Sequence, residues 1–333
     1  MEILKIEEII LTAIKYKASD VHLHQGMLPL FRINNALEPV SDYQKPLDNL
    51  DIERYVYCIS DVQEKDLFLN KDSIDVAKEI ANVRCRINMF KTSNGPALAI
   101  RILNNSINLM MKLRIPLSVQ RLTEENHGLI IFSGPTGSGK TTSIASFIDK
   151  VNQTDSKHII SIEDPIEIVH TSIKSLISQR EVGYHCKGYL QGLKSALRED
   201  PDIIFIGELR DPETVQTALT AAETGHLVLT TLHSANCIEA VDRLTQFFPR
   251  VAYNQVVNQI ANCMKGIIAQ RLLLKADNSG RVAAYEVLLN TDATRNLIRQ
   301  GNIHKLDEYM SRDGMQTMEA SIQGLKDMGI VAI

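Results

Sequence analysis

Apolar residues recur along this chain in two successive arrangements, and the change between them falls near residue 104. In residues 2–17, Ile3, Ile6, Ile10, Ala13 and Ile14 share one face of a helix. Val21-His22-Leu23-His24 and Leu30-Phe31-Arg32-Ile33 then alternate as strands do, with Gly26 and Pro29 in the turn between them. Residues 48–70 are mainly helical in pattern. The runs Val83–Asn88 and Ala97–Ile102 flank the turn signal Ser93-Asn94-Gly95-Pro96, which predicts a hairpin over 83–103. Residues 1–104 are thus expected to form a small α+β domain and 105–118 a linker, where Asn104-Asn105, Asn108 and the Ile115-Pro116 step break the pattern. Over 119–333, strands alternate with helices. Leu129–Phe132, His158–Ile162, Ile203–Ile206 and Leu227–Thr231 are the strand candidates, which predicts an α/β domain with a largely parallel sheet and ligands at its carboxyl ends. Residues 236–333 are expected to be mainly helical, with a hairpin near Leu272–Val287 around Asn278-Ser279-Gly280.

The first predicted strand of the second domain runs directly into Gly134-Pro135-Thr136-Gly137-Ser138-Gly139-Lys140-Thr141-Thr142. This is a complete G-x-x-x-x-G-K-[ST] loop, followed by apolar spacing that suits a helix. Gly134, Gly137 and Gly139 carry no Cβ, so the backbone can curl around phosphates and aim N–H groups at them, aided by the helix N-terminus. Lys140 can reach the β- and γ-phosphates, and the Thr141 hydroxyl can sit on Mg²⁺. ATP with Mg²⁺ is the expected ligand.

Three further clusters suit the same chemistry. Pro201–Glu208 looks like a Walker B strand with Gly207 at the usual aspartate position, leaving Glu208 as the acid that can orient or deprotonate a water. Pairing with Arg210 is the plainer role for that carboxylate. Glu163 and Glu167, in Ser161–Glu167, can hold Mg²⁺ through water, although such a cluster alone is an ordinary charged turn. His226 and His233 stand before and after a predicted strand, where either can sense a γ-phosphate or a neighbouring subunit, a structural role being the plainer one for an isolated pair. Arg84 and Arg86 share a strand face that Arg101 can join from the neighbouring strand. Together they are a candidate arginine-finger set or a solvated sheet face.

Composition narrows the classes. The 333 residues suffice for two domains, and a formal net charge of −4 gives no general field for nucleic acid. Five scattered cysteines, Cys58, Cys85, Cys186, Cys237 and Cys263, contain no C-x-x-C pair, which argues against zinc and a disulfide framework. The acidic start MEILKIEEII is unlike a secretory signal and no apolar run reaches membrane-spanning length, so a cytoplasmic protein is expected.

Taken together, the four boxes resemble the secretion ATPase superfamily. Ala18–Leu23, Gln179–Gly183, Leu197–Asp202 and Gly314–Met318 further resemble the PilT family of type IV pilus retraction ATPases. The resemblance implies a PAS-like N-terminal domain, a RecA-like P-loop NTPase domain, a homohexameric ring with ATP bound between the two domains, and an inner-membrane pilus platform protein as partner at the cytoplasmic face. It makes Glu208 the catalytic glutamate, Glu163 and Glu167 the acidic box, His226 and His233 the histidine box, and Arg86 and Arg101 the arginine fingers. Ala293–Gln300 is similar to a segment of the retraction enzymes, departing from it at Thr294 and Gln300. Assembly ATPases have a longer N-terminal extension and a tetracysteine, neither seen here, so retraction is the expected direction of work. A related secretion or conjugation motor, a non-hydrolysing accessory subunit of a mixed ring, and a RecA-like nucleic-acid motor, which the acidic charge and the PilT-like N-terminal segment disfavour, are the alternatives.

Overall fold

The computed structural model describes residues 5–33, 36–103 and 109–332. The chain forms two compact units, Met1–Ser106 with Pro165–Val169, and Ile107–Asp164 with His170–Ile333. A five-residue segment from the middle of the chain thus belongs to the first unit.

In the first unit, α1 (Ile6–Lys15) buries Ile6, Ile9, Ile10 and Ala13. Ile14, expected on the same face, is exposed, and Ile3 lies outside the described residues. The six strands are β1 (Asp20–His24), β2 (Leu30–Ile33), β3 (Ala36–Pro39), β4 (Ser73–Ile80), β5 (Val83–Thr92) and β6 (Gly95–Ile102). They form an antiparallel sheet in the order β3-β2-β1-β6-β5-β4. The helical stretch predicted over 48–70 is two helices, α2 (Asn49–Ile59) and α3 (Val62–Asn70), because Asp48 and Asp61 each start a capping box with Asp51 and Glu64. Alternation sends Val21, Leu23, Ile87, Met89, Leu98 and Ile100 into the core. Asp20, Asp75, Arg86, Asn88 and Arg101 line a shallow polar cleft on the sheet.

The second unit is built on a seven-stranded sheet ordered β13-β12-β7-β11-β10-β8-β9. Its strands are β7 (Gly128–Ser133), β8 (His158–Glu163), β9 (Leu176–Glu181), β10 (Ile203–Ile206), β11 (Leu227–Leu232), β12 (Met264–Leu274) and β13 (Arg281–Leu289). Every pairing is parallel except the β12–β13 hairpin. The predicted hairpin is therefore present but begins earlier, with β12 joining the main sheet. The helices are α4 (Leu117–Arg121), α5 (Lys140–Thr154), α6 (Tyr189–Ala196), α7 (Pro212–Glu223), α8 (Cys237–Gln246), α9 (Tyr253–Cys263), α10 (Asp292–Arg299) and α11 (Met318–Asp327). All six residues of both β7 and β11 are buried, as expected of parallel strands covered on both faces.

One core layer packs Phe132, Phe147, Ile148 and Val151 with Met110 and Ile115, which fall in the stretch 105–118. Of that stretch, residues 105–108 lie outside the described residues. Phe147 of α5 meets Phe132 of β7 edge-on, with ring centroids 6.3 Å apart. Cys85, Cys237 and Cys263 are buried free thiols, and burial pushes Cys85 and Cys263 up to about 12. Within the described residues, no helix is long and apolar enough to cross a membrane.

The Phe132–Phe147 contact anchors the helix that follows the glycine loop. Phe147→Ala is expected to cost the second unit about 3–5 kcal/mol of unfolding free energy. Urea unfolding followed by circular dichroism measures it, and a loss below about 1 kcal/mol would contradict the packing role.

A phosphate loop and its neighbouring strand ends

Residues 134–139 leave the carboxyl end of β7 and turn into α5. The turn needs glycine at two crowded places. At Gly134 (φ +141°) a Cβ would stand 2.5 Å from the Gln270 carbonyl oxygen, and at Gly139 (φ +91°) 2.7 Å from the Gln270 Nε2. Gly139 is also the N-cap of α5, and no side chain caps that helix. Its first N–H groups are therefore available to an anion. Lys140 is buried, and its Nζ donates to the carbonyl oxygens of Gly134 (2.6 Å) and Pro135 (3.0 Å). The Ser138 hydroxyl is buried with no hydrogen-bond partner among the described residues. Pro135, Thr136 and Gly137 are exposed, while Thr141 and Thr142 are half-buried in the first turn of α5.

Because β7, β11, β10 and β8 are parallel neighbours in that order, their carboxyl ends lie side by side. Side chains tie these ends together. Ser133 Oγ donates to the Ser234 carbonyl oxygen at 2.8 Å and accepts from its N–H at 3.2 Å. Thr231 Oγ1 donates to the Gly207 carbonyl oxygen at 2.5 Å. These links join the loop's strand to the residues around His233 and to the end of β10.

Glu208 follows β10 at that end. Its Oε1 pairs with Arg210, which also lies 3.7 Å from Asp164, and its Oε2 is 3.6 Å from His233 Nε2. Burial first, and then the charge of Lys140, push the His233 imidazole below its ordinary value, with Glu208 opposing. The neutral ring can thus donate or accept beside Glu208. Gly207 has a steric reason: a Cβ there would stand 3.1 Å from the Tyr189 hydroxyl and 3.3 Å from the Ile162 carbonyl oxygen.

Glu163 ends β8 and is buried. Its Oε1 accepts from Ser161 Oγ (2.6 Å) and from Gln179 Nε2 (3.1 Å), while Gln179 Oε1 accepts from the His170 N–H at 2.8 Å. Glu167 lies in the segment that belongs to the first unit, so the two glutamates of the acidic box stand in different units. His226 precedes β11 and His233 follows it. The six-residue strand holds the two histidines about 20 Å apart, and His226 Nδ1 bonds to the Ala221 carbonyl oxygen at 3.1 Å. The structure does not bring His226 to the loop of its own chain.

Arg86 and Arg101 are direct cross-strand partners in the first unit. Arg101 Nε pairs with Asp20 at 2.9 Å and Arg86 Nε with Asp75 at 3.6 Å. Arg84, two residues from Arg86, donates to the Ile166 carbonyl oxygen at 3.0 Å.

Beside the loop, the second unit has a cleft of about 810 Å³ whose lining includes Gly139, Thr142, Leu272, Arg281, Tyr285 and Ile330. Its size is that of a small-molecule site. Tyr285 Oη donates to the Leu113 carbonyl oxygen at 3.1 Å. Sequence reasoning missed Ser133, Thr231, Gln179 and Gln270. Gln270 left one signal, a lone amide within the apolar run Ile267-Ile268-Ala269-Gln270-Arg271-Leu272.

The family model described as "Type II/IV secretion system protein" matches residues 2–331. The chain belongs to the type II/IV secretion system protein family. It is 38% identical over 308 residues to the twitching motility protein of Neisseria gonorrhoeae, covering 91% of this chain and 82% of that protein. It is 37% identical over 332 residues to the type IV pilus retraction ATPase PilT of Pseudomonas aeruginosa, covering 98% and 95%. Its fold matches a crystal structure of the pilus retraction motor PilT with bound ADP at a TM-score of 0.93 and 42% identity, covering 99% of this chain and 95% of that one. Within this family frame, α10 carries the segment Ala293–Gln300 up to Arg299, with Gln300 as its C-cap. Thr294 is fully buried there and its hydroxyl donates to the Leu289 carbonyl oxygen at 2.8 Å, which gives that departure from the retraction-enzyme pattern a structural place.

A pH dependence follows from His170, whose backbone joins the Gln179–Glu163 chain. Burial pushes its imidazole down to about 4, so the unfolded state takes up the proton first as pH falls from 6.5. Its effect is absent above pH 6.5, costs up to about 1.4 kcal/mol per pH unit between 6.5 and 4, and levels off below. His170→Gln is expected to flatten the stability profile over that window, as read from denaturant midpoints. An unchanged slope would refute the burial argument.

Proposed function

We propose that this chain is an ATP hydrolase that works in a homohexameric ring and drives type IV pilus retraction. The observation that carries the proposal is the placement of Glu208 and His233 beside the Lys140 loop, at neighbouring carboxyl ends of one parallel sheet. Support for the retraction role comes from two relatives, 37% and 38% identical, named for pilus retraction and twitching motility. In this reading residues 1–104 are a PAS-like domain, 105–118 a linker and 119–333 a RecA-like domain.

The phosphates sit in the curl of residues 134–142, where the uncapped N-terminus of α5 and the unpartnered Ser138 hydroxyl suit an anion. Lys140 leaves the loop carbonyls for the phosphate oxygens. The cleft beside Thr142 and Tyr285 takes the nucleoside. Hard oxygen donors at Thr141 and Glu163 suit Mg²⁺, with Glu163 acting through water, and Glu167 is the further acidic candidate. When bound, that ion would neutralise phosphate charge. Glu208 Oε1 is held by Arg210, which leaves Oε2 to orient the attacking water and take its proton, with neutral His233 next to it.

Arg86 and Arg101 are the proposed arginine fingers, offered to a nucleotide held by another subunit. Their present aspartate pairs are partly exposed, and such pairs are worth about 0–1 kcal/mol, so exchanging carboxylate for phosphate costs little. His226 is proposed to act at a subunit contact. The ring works at the cytoplasmic face of the inner membrane on a pilus platform protein, without nucleic acid or zinc.

Steady-state phosphate release by the purified protein, with light scattering on the same sample, tests the enzyme. Hydrolysis by a hexamer is expected, abolished by Lys140→Ala and lowered about 10²–10⁴-fold by Glu208→Gln with nucleotide binding retained. Parental turnover in Glu208→Gln would remove Glu208 from the chemistry. Direction of work is read in cells: a deletion strain is expected to keep and accumulate surface pili. A strain without pili would indicate assembly instead, and a strain with unchanged pili would point to another secretion system.

A further inference from the structure

Gln270 stands on β12 next to Ile267, Ile268 and Ala269, all fully buried, and is itself only 2% exposed. A buried primary amide is retained only where its donor and acceptor ends both find partners. Its partners also fix which way round it stands. The Ser138 carbonyl oxygen can only accept, so Nε2 faces it, at 2.7 Å, and Oε1 accepts from Ser143 Oγ at 2.9 Å. One amide therefore holds the last turn of the glycine loop to the first turn of α5. The loop also rests on this residue at Gly134 and Gly139, where a Cβ would come within 2.5 Å of the Gln270 carbonyl oxygen and 2.7 Å of Nε2.

The bond to Ser138 has a consequence for the next residue. A trans peptide is planar, so its C=O and the following N–H point in opposite directions. Holding the Ser138 carbonyl toward β12 turns the Gly139 N–H away from β12, where an anion can meet it. Gly139 carries little conformational preference of its own, so an outside partner has to choose that orientation. We infer that Gln270 is a positioning residue that fixes the Ser138–Gly139 peptide in its phosphate-facing orientation and thereby sets the loop's affinity for a nucleoside di- or triphosphate.

The inference rests on the nucleotide-binding reading, and the experiment separates the two. Full-length parent, Lys140→Ala, Gln270→Met, Gln270→Glu and Ser143→Ala are compared by calorimetry with ADP, by melting temperature, and by kcat and KM for ATP. Met matches the length of Gln and lacks both bonds. Glu keeps an acceptor for Ser143 but brings no donor to the Ser138 carbonyl. Ser143→Ala leaves the bond to Ser138 in place. Gln270→Met and Gln270→Glu are expected to bind ADP at least about tenfold more weakly, with KM raised more than kcat is lowered, and Ser143→Ala to stay within about threefold of the parent. A merely structural role would lower the melting temperature and leave the folded protein with the parental Kd and KM, which would overturn the inference. If Gln270→Met fails to fold, Gln270→Glu against Ser143→Ala decides: equal affinities overturn it, and weaker binding by Gln270→Glu alone sustains it. A parent that binds ADP no better than Lys140→Ala would instead remove the nucleotide reading itself.

Discussion

A backbone that must present its N–H groups to a polyanion cannot use them to hold its own shape, and the second unit is organised around that constraint. The loop 134–139 is shaped from outside. Below it runs β12, whose Gln270 presses on Gly134 through its carbonyl and on Gly139 through its amide. Behind it α5 is fixed by Phe147 against Phe132 of the strand that leads in. Strand, loop and helix then form one device in which the Gly134 and Ser138 N–H groups donate to the Leu232 and Pro135 carbonyl oxygens, while the first N–H groups of α5 have no side-chain cap.

The same requirement extends across the sheet. A parallel sheet brings four strand ends to one edge, but each end carries backbone groups beyond the ladder, and those groups need partners when water is excluded. Ser133, Thr231 and Gln270 supply them with short side chains and one amide. Each of these bonds joins a residue next to a chemically interesting group, so satisfying the backbone and aligning the site are one act. Gln179 does the same for the outer end of the sheet, between Glu163 and the backbone of His170. His170 is where the chain re-enters the second unit after Pro165–Val169. The acidic carboxylate is therefore hydrogen-bonded, through one side chain, to the point where the chain returns.

How much of this could be read beforehand follows from the range of each cause. The glycine loop, its flanking strand and helix, and the strands at 158–163, 203–206 and 227–232 were legible because their signals are local: glycine spacing and unbroken apolar runs. Strands β3, β4 and β9 were not. Ser73–Val76 alternates but Ala77-Lys78-Glu79 interrupts the pattern, and Leu176–Glu181 mixes polar with apolar, so pairing partners more than composition make them strands. The break at Ser60–Asp61 was written in two capping boxes but hidden inside a continuous helical pattern. Gln270 left only a lone amide in an apolar run and Ser133 left no signal, because their meaning lies in contacts with Ser143 and Ser138, 127 and 132 positions away, and with Ser234, 101 positions away. His226 shows the opposite case. It stands near His233 in sequence, yet an extended strand of six buried residues carries them to opposite edges of the sheet.

The charged groups share one further property. Lys140 rests on two carbonyl oxygens, Glu208 on Arg210, Arg101 on Asp20 and Arg86 on Asp75. Burying a charge without a partner would cost several kcal/mol, which bears on Lys140 and less on Glu208, while the Arg101 guanidinium is exposed and is under no such demand. Those partners differ: neutral carbonyls for the lysine, the half-exposed Asp75 for Arg86, and for Arg101 the largely covered Asp20, which also accepts from the Ser19 hydroxyl. For Lys140, a phosphate oxygen would be a more highly charged acceptor than a carbonyl, and the net gain would be the difference between two satisfied states. Nucleotide affinity in such a site depends less on the number of charges it holds than on how lightly their resting partners hold them. Arg210 is the instructive member, because it holds a carboxylate that phosphate would repel and keeps it beside the loop that phosphate would fill.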